Sequence, residues 1–321
     1  MNRTSLALAL AAMLSLSLTG CGEKQEAAQV QAEKAAPVAA ATATATFEAQ
    51  VAAFEKNNLL ALLQSSLPQQ QWEEAKADWE RNRAEPITEE DRKEWADSWG
   101  KLTAPDGVNQ IMAEVEPKLA EAKPQMAGMV AMMQGIAMMS VQNNQELTDA
   151  QKQQATSLLQ GLSGWLNTTD FTDAAKMRAA LTALADGMRA TKIATLEDLH
   201  ALSFEDLLAK GGVMLGAFKQ SLDVYGLSLD QIAKSMKAEV LTETGDTAKL
   251  KVSYSLFGTP LSYESEMQRI DGKWYGKDLL AQIEKATAEA ESEGDATAEA
   301  DATDGDSDSE TAATGEGEGE S

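Results

Sequence analysis

The chain is poor in the residues that usually carry chemistry. It has one cysteine and one histidine in 321 residues. A single cysteine excludes an intramolecular disulfide framework, and with a single histidine it leaves too few ligands for a usual zinc site. Bases are scarce, 27 against 51 acids, for a formal net charge of −24. So acidic a chain is repelled by nucleic acid and by anionic lipid surfaces, both of which recruit basic patches, and nucleic-acid binding is set aside. A Gly-x-Ser-x-Gly elbow is missing, Gly161-Leu162-Ser163-Gly164 having the wrong spacing for one. There is no glycine loop to cradle phosphate, and Gly211-Gly212 reads as a break or a close contact inside a helical stretch. His200 lies between two cap-like segments and reads as a helix-end residue. The carboxylate pairs Glu73/Glu74 and Glu89/Glu90 fall on charged helical faces. No catalytic residue, cofactor or metal is therefore expected.

What is present begins at the N-terminus. Arg3 precedes an uncharged apolar run from Leu6 to Leu18, too short to span a bilayer and patterned like an export signal. Small residues then lead into the one cysteine, as Leu18-Thr19-Gly20-Cys21. This tetrad resembles the lipobox of bacterial lipoprotein precursors. The resemblance implies cleavage between Gly20 and Cys21, acylation of the Cys21 sulfur and often of the new N-terminus. In Gram-negative members an aspartate after the cysteine favours retention at the inner membrane. Gly22 stands there instead, implying the outer membrane, facing the periplasm. Two other readings stay open: an ordinary secretory signal that leaves Cys21 a free thiol, and an uncleaved anchor.

With residues 1–20 as signal peptide, residues 21–46 follow as a lipidated tether. They are rich in Ala, Thr, Gln and Glu, with too little apolar bulk to repay ordering. Helical spacing starts at Phe47, Val51 and Phe54 and continues through Leu59, Leu60, Leu62 and Leu63. After Pro68 a charged helix over 69–83 carries Trp72 and Trp79. Thr88 with Asp91 predicts a capped helix bearing Trp95 and Trp99 and stopping at Gly100. Tryptophans at helical spacing read as helix-packing anchors, with sugar stacking or lipid contact as alternatives. Val108 to Ala122 is helical, and Pro117 predicts a kink or break. Caps are also expected at Thr148, Thr172, Thr195, Ser203 and Ser228.

The most unusual internal segment is Met126 to Val141. Met126, Met129, Met132, Met133, Met138 and Met139 share it with Val130, Ile136 and Val141, and no charge falls between Lys123 and Glu146. At 100° per residue these side chains point nearly all round the axis, which predicts a helix enclosed on most sides, with methionine as gap-filler. The alternatives are a soft surface for an apolar ligand, lipid or partner, and thioether coordination of Cu(I). The last is disfavoured because the sulfurs do not converge and no His or Cys joins them.

From about Ala238 the period becomes two. Leu250, Val252, Tyr254 and Leu256 alternate with Lys249, Lys251, Ser253 and Ser255, and Gly245-Asp246, Gly258-Thr259-Pro260 and Asp271-Gly272 mark hairpin turns. A meander of four strands ending at Trp274 and Tyr275 is expected. These turns and strands resemble the C-terminal sheet of small NTF2-like α+β domains, a likeness that implies a curved sheet closing on helices around an apolar pocket. The tail, residues 286–321, carries thirteen acids and no base and is expected to be disordered. Asp304, Asp306 and Asp308 resemble the start of an EF-hand loop, but Ser309 and Gly315 stand where glycine and glutamate are needed.

The expected fold is α+β and predominantly helical, with a helical body over 47–194 and helices plus an antiparallel sheet over 195–285, either as a separate domain or in one domain with it. The expected role is that of a lipid-anchored, non-enzymatic binding or scaffolding protein of the envelope, its partners being the membrane through Cys21 and other envelope proteins. The alternative is a carrier holding a small apolar ligand or lipid between the sheet and the Met-rich helix.

Overall fold

The computed structural model describes residues 42–145 and 149–285. The fold is α+β and mostly helical, and it ends in a four-stranded antiparallel sheet. Helices start where a short polar side chain can accept a bond from an otherwise unpaired amide. Thr42 caps α1 (Ala43–Glu55) by accepting from the Ala45 amide, and Asn58 caps α2 (Leu59–Ser66). α3 spans Gln69–Asn82. Thr88 and Asp91 close a reciprocal capping box at α4 (Glu89–Trp95). That helix does not stop at Gly100; it runs through a π-helical turn, Ala96–Gly100, to Thr103. α5 (Gly107–Asn143) and α6 (Asp149–Thr168) follow. α7 (Ala174–Ala190) is capped by Asp173 rather than Thr172, whose hydroxyl instead donates to Asp170. Thr195 and Asp198 box the start of α8 (Leu196–His200), and Ser203 caps α9 (Phe204–Asp223). Ser228 precedes α10 (Leu229–Ser235) without making a side-chain cap bond, and its hydroxyl is buried without a partner.

Pro117 does not break the chain's longest described helix. α5 runs for 37 residues through Pro117 and Pro124. Each proline removes one backbone donor. The two lie seven residues apart on the solvent side, where water can satisfy the carbonyls left over.

The sheet follows chain order: β1 (Lys237–Thr244), β2 (Thr247–Leu256), β3 (Thr259–Ile270) and β4 (Lys273–Gly276). Phe257-Gly258 and Asp271-Gly272 form the second and third turns with positive φ at both residues, the geometry whose twist suits a two-residue hairpin. Ala248, Leu250 and Val252 face inward with Met267 and Trp274, and the N-terminal turns of α1 close over them through Ala43 and Phe47. α1 thus takes up residues 43–46 of the stretch expected to be tether, and Ala43 is fully buried there.

Two further clusters complete the core. Leu63, Leu67, Trp72 and Trp79 pack on Phe204 and Leu208, and Phe54 packs on Leu215, Leu229 and Ala233. All three clusters join residues before 194 to residues after 195. The tryptophans anchor helices: Trp79, Trp95 and Trp99 donate their indole N–H to the carbonyls of Leu202, Ala194 and Ile193. Gly211-Gly212 is a close contact inside α9, not a break, since a Cβ on Gly212 would lie 2.2 Å from the Asn57 carbonyl oxygen.

Candidate functional site

The Met-rich segment is the C-terminal half of α5, and it forms a helical hairpin with α6. An ion pair with hydrogen bonds holds the hairpin at its base, and a hydrogen bond holds it near its tip. At the base Lys123 Nζ meets Asp170 at 2.8 Å, and the Thr172 hydroxyl and amide also donate to Asp170. The Lys123 bond, helped by those from Thr172, holds the Asp170 carboxyl down at about 2. The Asp170 carboxylate in turn raises Lys123 above its ordinary value. Near the tip Lys152 Nζ donates to the Gln142 carbonyl at 3.2 Å.

Between these points the helix is not enclosed. Met129, Met132, Met133, Ile136 and Met139 are 51 to 63 % exposed. At helical spacing they make one stripe, with all five on one side of the axis. Met126, Val130, Ala137, Met138 and Val141 are half-buried and make a second stripe roughly opposite, toward α6. The helix expected to be enclosed on most sides is open along the first stripe. Two apolar stripes back to back give the same residue pattern as an enclosed helix, but α6 covers only one of them. Of the six methionines singled out from sequence, Met129, Met132, Met133 and Met139 share the open stripe, and Met126 and Met138 do not. Ile136 belongs to that stripe as well; its 3–4 spacing from Met132 and Met139 was the signal for it. A Cβ added at Gly128 or Gly135 would meet nothing within 4 Å, so the flank of the stripe is unobstructed.

The other residues singled out for chemistry make local contacts. His200 ends α8, and its carbonyl accepts from Arg83. Glu73 and Glu74 accept from Gln69 and Gln70 one turn earlier, and Glu89 pairs with Arg92. Among the described residues no cluster of His, Cys, Asp and Glu can hold a metal ion. No described helix is long and apolar enough to cross a membrane. A depression of about 260 Å³ on the sheet is lined by Thr242, Thr244, Thr247, Lys249, Glu266 and Lys277 among others, and no α5 residue contributes to it. Gly20, Cys21 and the aspartates of the acidic tail lie outside the described residues.

Sequence reasoning missed Lys219 of α9. It is 4 % exposed, donates to the Phe54 carbonyl at 2.6 Å and to Asp230 at 2.5 Å, and sits 3.9 Å above the Phe54 ring. Burial pulls its ammonium below the ordinary lysine value, with Asp230 opposing. Every partner is remote in sequence or on another element, so no local pattern marks it. Its role is to join α1, α9 and α10.

Compared with known proteins, the chain matches no family model, no curated protein and no solved structure.

Proposed function

We propose that this is a lipid-anchored envelope protein that binds other proteins through the open methionine stripe of α5 and does not act as an enzyme. One observation carries the reading: five large apolar side chains stand more than half exposed on a single helix face. A soluble surface rarely leaves so many large apolar groups contiguous unless something covers them. Methionine suits a surface that must fit more than one shape, being unbranched and polarisable. The Leu18-Thr19-Gly20-Cys21 tetrad supports the anchor, and about twenty residues between Cys21 and Ala43 give a reach of roughly 70 Å when extended. The stripe would then work at a distance from the bilayer. The same stripe argues against a carrier, because an open helix face encloses no ligand.

The test is a photo-crosslinking amino acid at Met132 in cells, in the native chain and in Cys21→Ser. The native chain is expected to give discrete protein adducts in the membrane fraction, and Cys21→Ser to lose both the membrane association and those adducts. A Cys21→Ser chain that still sediments with membranes contradicts the anchor. Absence of any protein adduct at Met132 contradicts the binding role.

A further inference from the structure

We infer that the occupant of the stripe is a second copy of this chain, lying antiparallel. This rests on the reading of the stripe as a protein-binding surface and names its partner. Met129, Met132, Ile136 and Met139 are spaced three, four and three residues apart, the a and d positions of two heptads. That spacing is also symmetric about Gln134. Under a two-fold axis lying between the helices at the level of Gln134, Met129 falls against Met139 of the other copy, and Met132 against Ile136. These are the a-against-d layers that an antiparallel helix pair needs, and such a patch is self-complementary as a two-fold interface requires.

The flanks agree with the pairing. On one side the axis brings Met133 beside its own equivalent. On the other it brings Gly135 beside Gly135, where no side chain holds the backbones apart and the surrounding space is open.

Charge decides for a second copy over a membrane. The chain carries −24, so most of its surface repels another copy, yet residues 124–145 hold no charge at all. In the antiparallel arrangement the first charged residue, Lys123, falls opposite Gln145, and acid meets no acid along the contact. A bilayer surface would instead call for lysine, arginine or tryptophan beside the apolar face, and this stretch has none. Covering the five exposed side chains on both copies buries on the order of 1,000 Å², the lower bound for a specific interface. The pair is therefore reversible, and a shared bilayer that raises effective concentration would favour it.

The experiment uses oxidative disulfide formation in the full chain with single added cysteines. Met129→Cys mixed with Met139→Cys is expected to give a crosslinked dimer, whereas each alone gives several-fold less, its equivalent lying ten residues away along the axis. Met133→Cys alone is expected to crosslink, and Ala113→Cys, on an exposed part of α5 outside the stripe, to stay at collision background. Adding Met132→Glu and Ile136→Glu is expected to reduce the Met133→Cys crosslink at least tenfold with helix content unchanged, both side chains being exposed. Efficient homodimers of Met129→Cys and of Met139→Cys, without the mixed product, would overturn the antiparallel pairing. Background crosslinking at every stripe position would overturn self-association. If photo-adducts at Met132 then contain only other proteins, the binding role stands and the second copy is ruled out as its partner.

Discussion

At Lys219 a single buried ammonium holds three elements together, and deleting it removes a donor from Asp230 and leaves the Phe54 carbonyl only its backbone bonds. Breaking a buried pair from one side is costly, so Lys219→Ala is expected to lose on the order of 3 kcal/mol in urea unfolding. Lys219→Met, which keeps the packing, is expected to lose less. The glycines give a matched pair of tests. Gly212→Ala drives a methyl into the Asn57 carbonyl, and overpacking against backbone costs about 1–3 kcal/mol. Gly164→Ala in α6 meets nothing within 4 Å, and replacing a helical glycine stabilises by about 0.5–1 kcal/mol. Equal effects at the two sites would contradict the contact assigned to Gly212.

At the scale of elements, what could be read from sequence was local. Thr88 with Asp91 and Thr195 with Asp198 cap their helices because both partners lie within one turn. The strands were legible because alternation and turn residues fix a hairpin without distant information. The covered side of α5 was not legible. Residues 126–141 are apolar on two faces, and only the packing of α6 decides which stripe is hidden. Nor was the survival of α5 through Pro117, which depends on that proline facing water. Pro117→Ala is thus expected to stabilise the chain, by up to about 3 kcal/mol, the propensity difference in a helix interior.

The base of the hairpin makes the account testable by pH. The Asp170 carboxyl is held at about 2 in the folded chain, below the ordinary 3.8, so the folded state binds its proton less tightly than the unfolded one. Its contribution is fully present above about pH 5 and is lost as pH falls through 3.8 toward 2. The stability difference between the native chain and Asp170→Asn should shrink steadily over that window. A difference unchanged down to pH 2 would mean that the Lys123 contact does not form in solution.

The whole molecule is organised by α1, whose start closes over the sheet and whose end packs on α9 and α10. Chain on both sides of the 194/195 boundary therefore shares one set of cores, and it should unfold in a single transition by both helix and tryptophan signals. Against this packed body the open face of α5 stands out as apolar surface left uncovered. Methionine oxidation footprinting tests that contrast most directly, comparing the dilute purified chain with the same chain in native membranes. Met129, Met132, Met133 and Met139 are expected to oxidise readily in the dilute chain and to be several-fold protected in membranes, with Met126 and Met138 little changed. Equal oxidation of the four in both settings would contradict the proposed binding role, because the stripe would then be uncovered at the membrane to which that proposal assigns the chain.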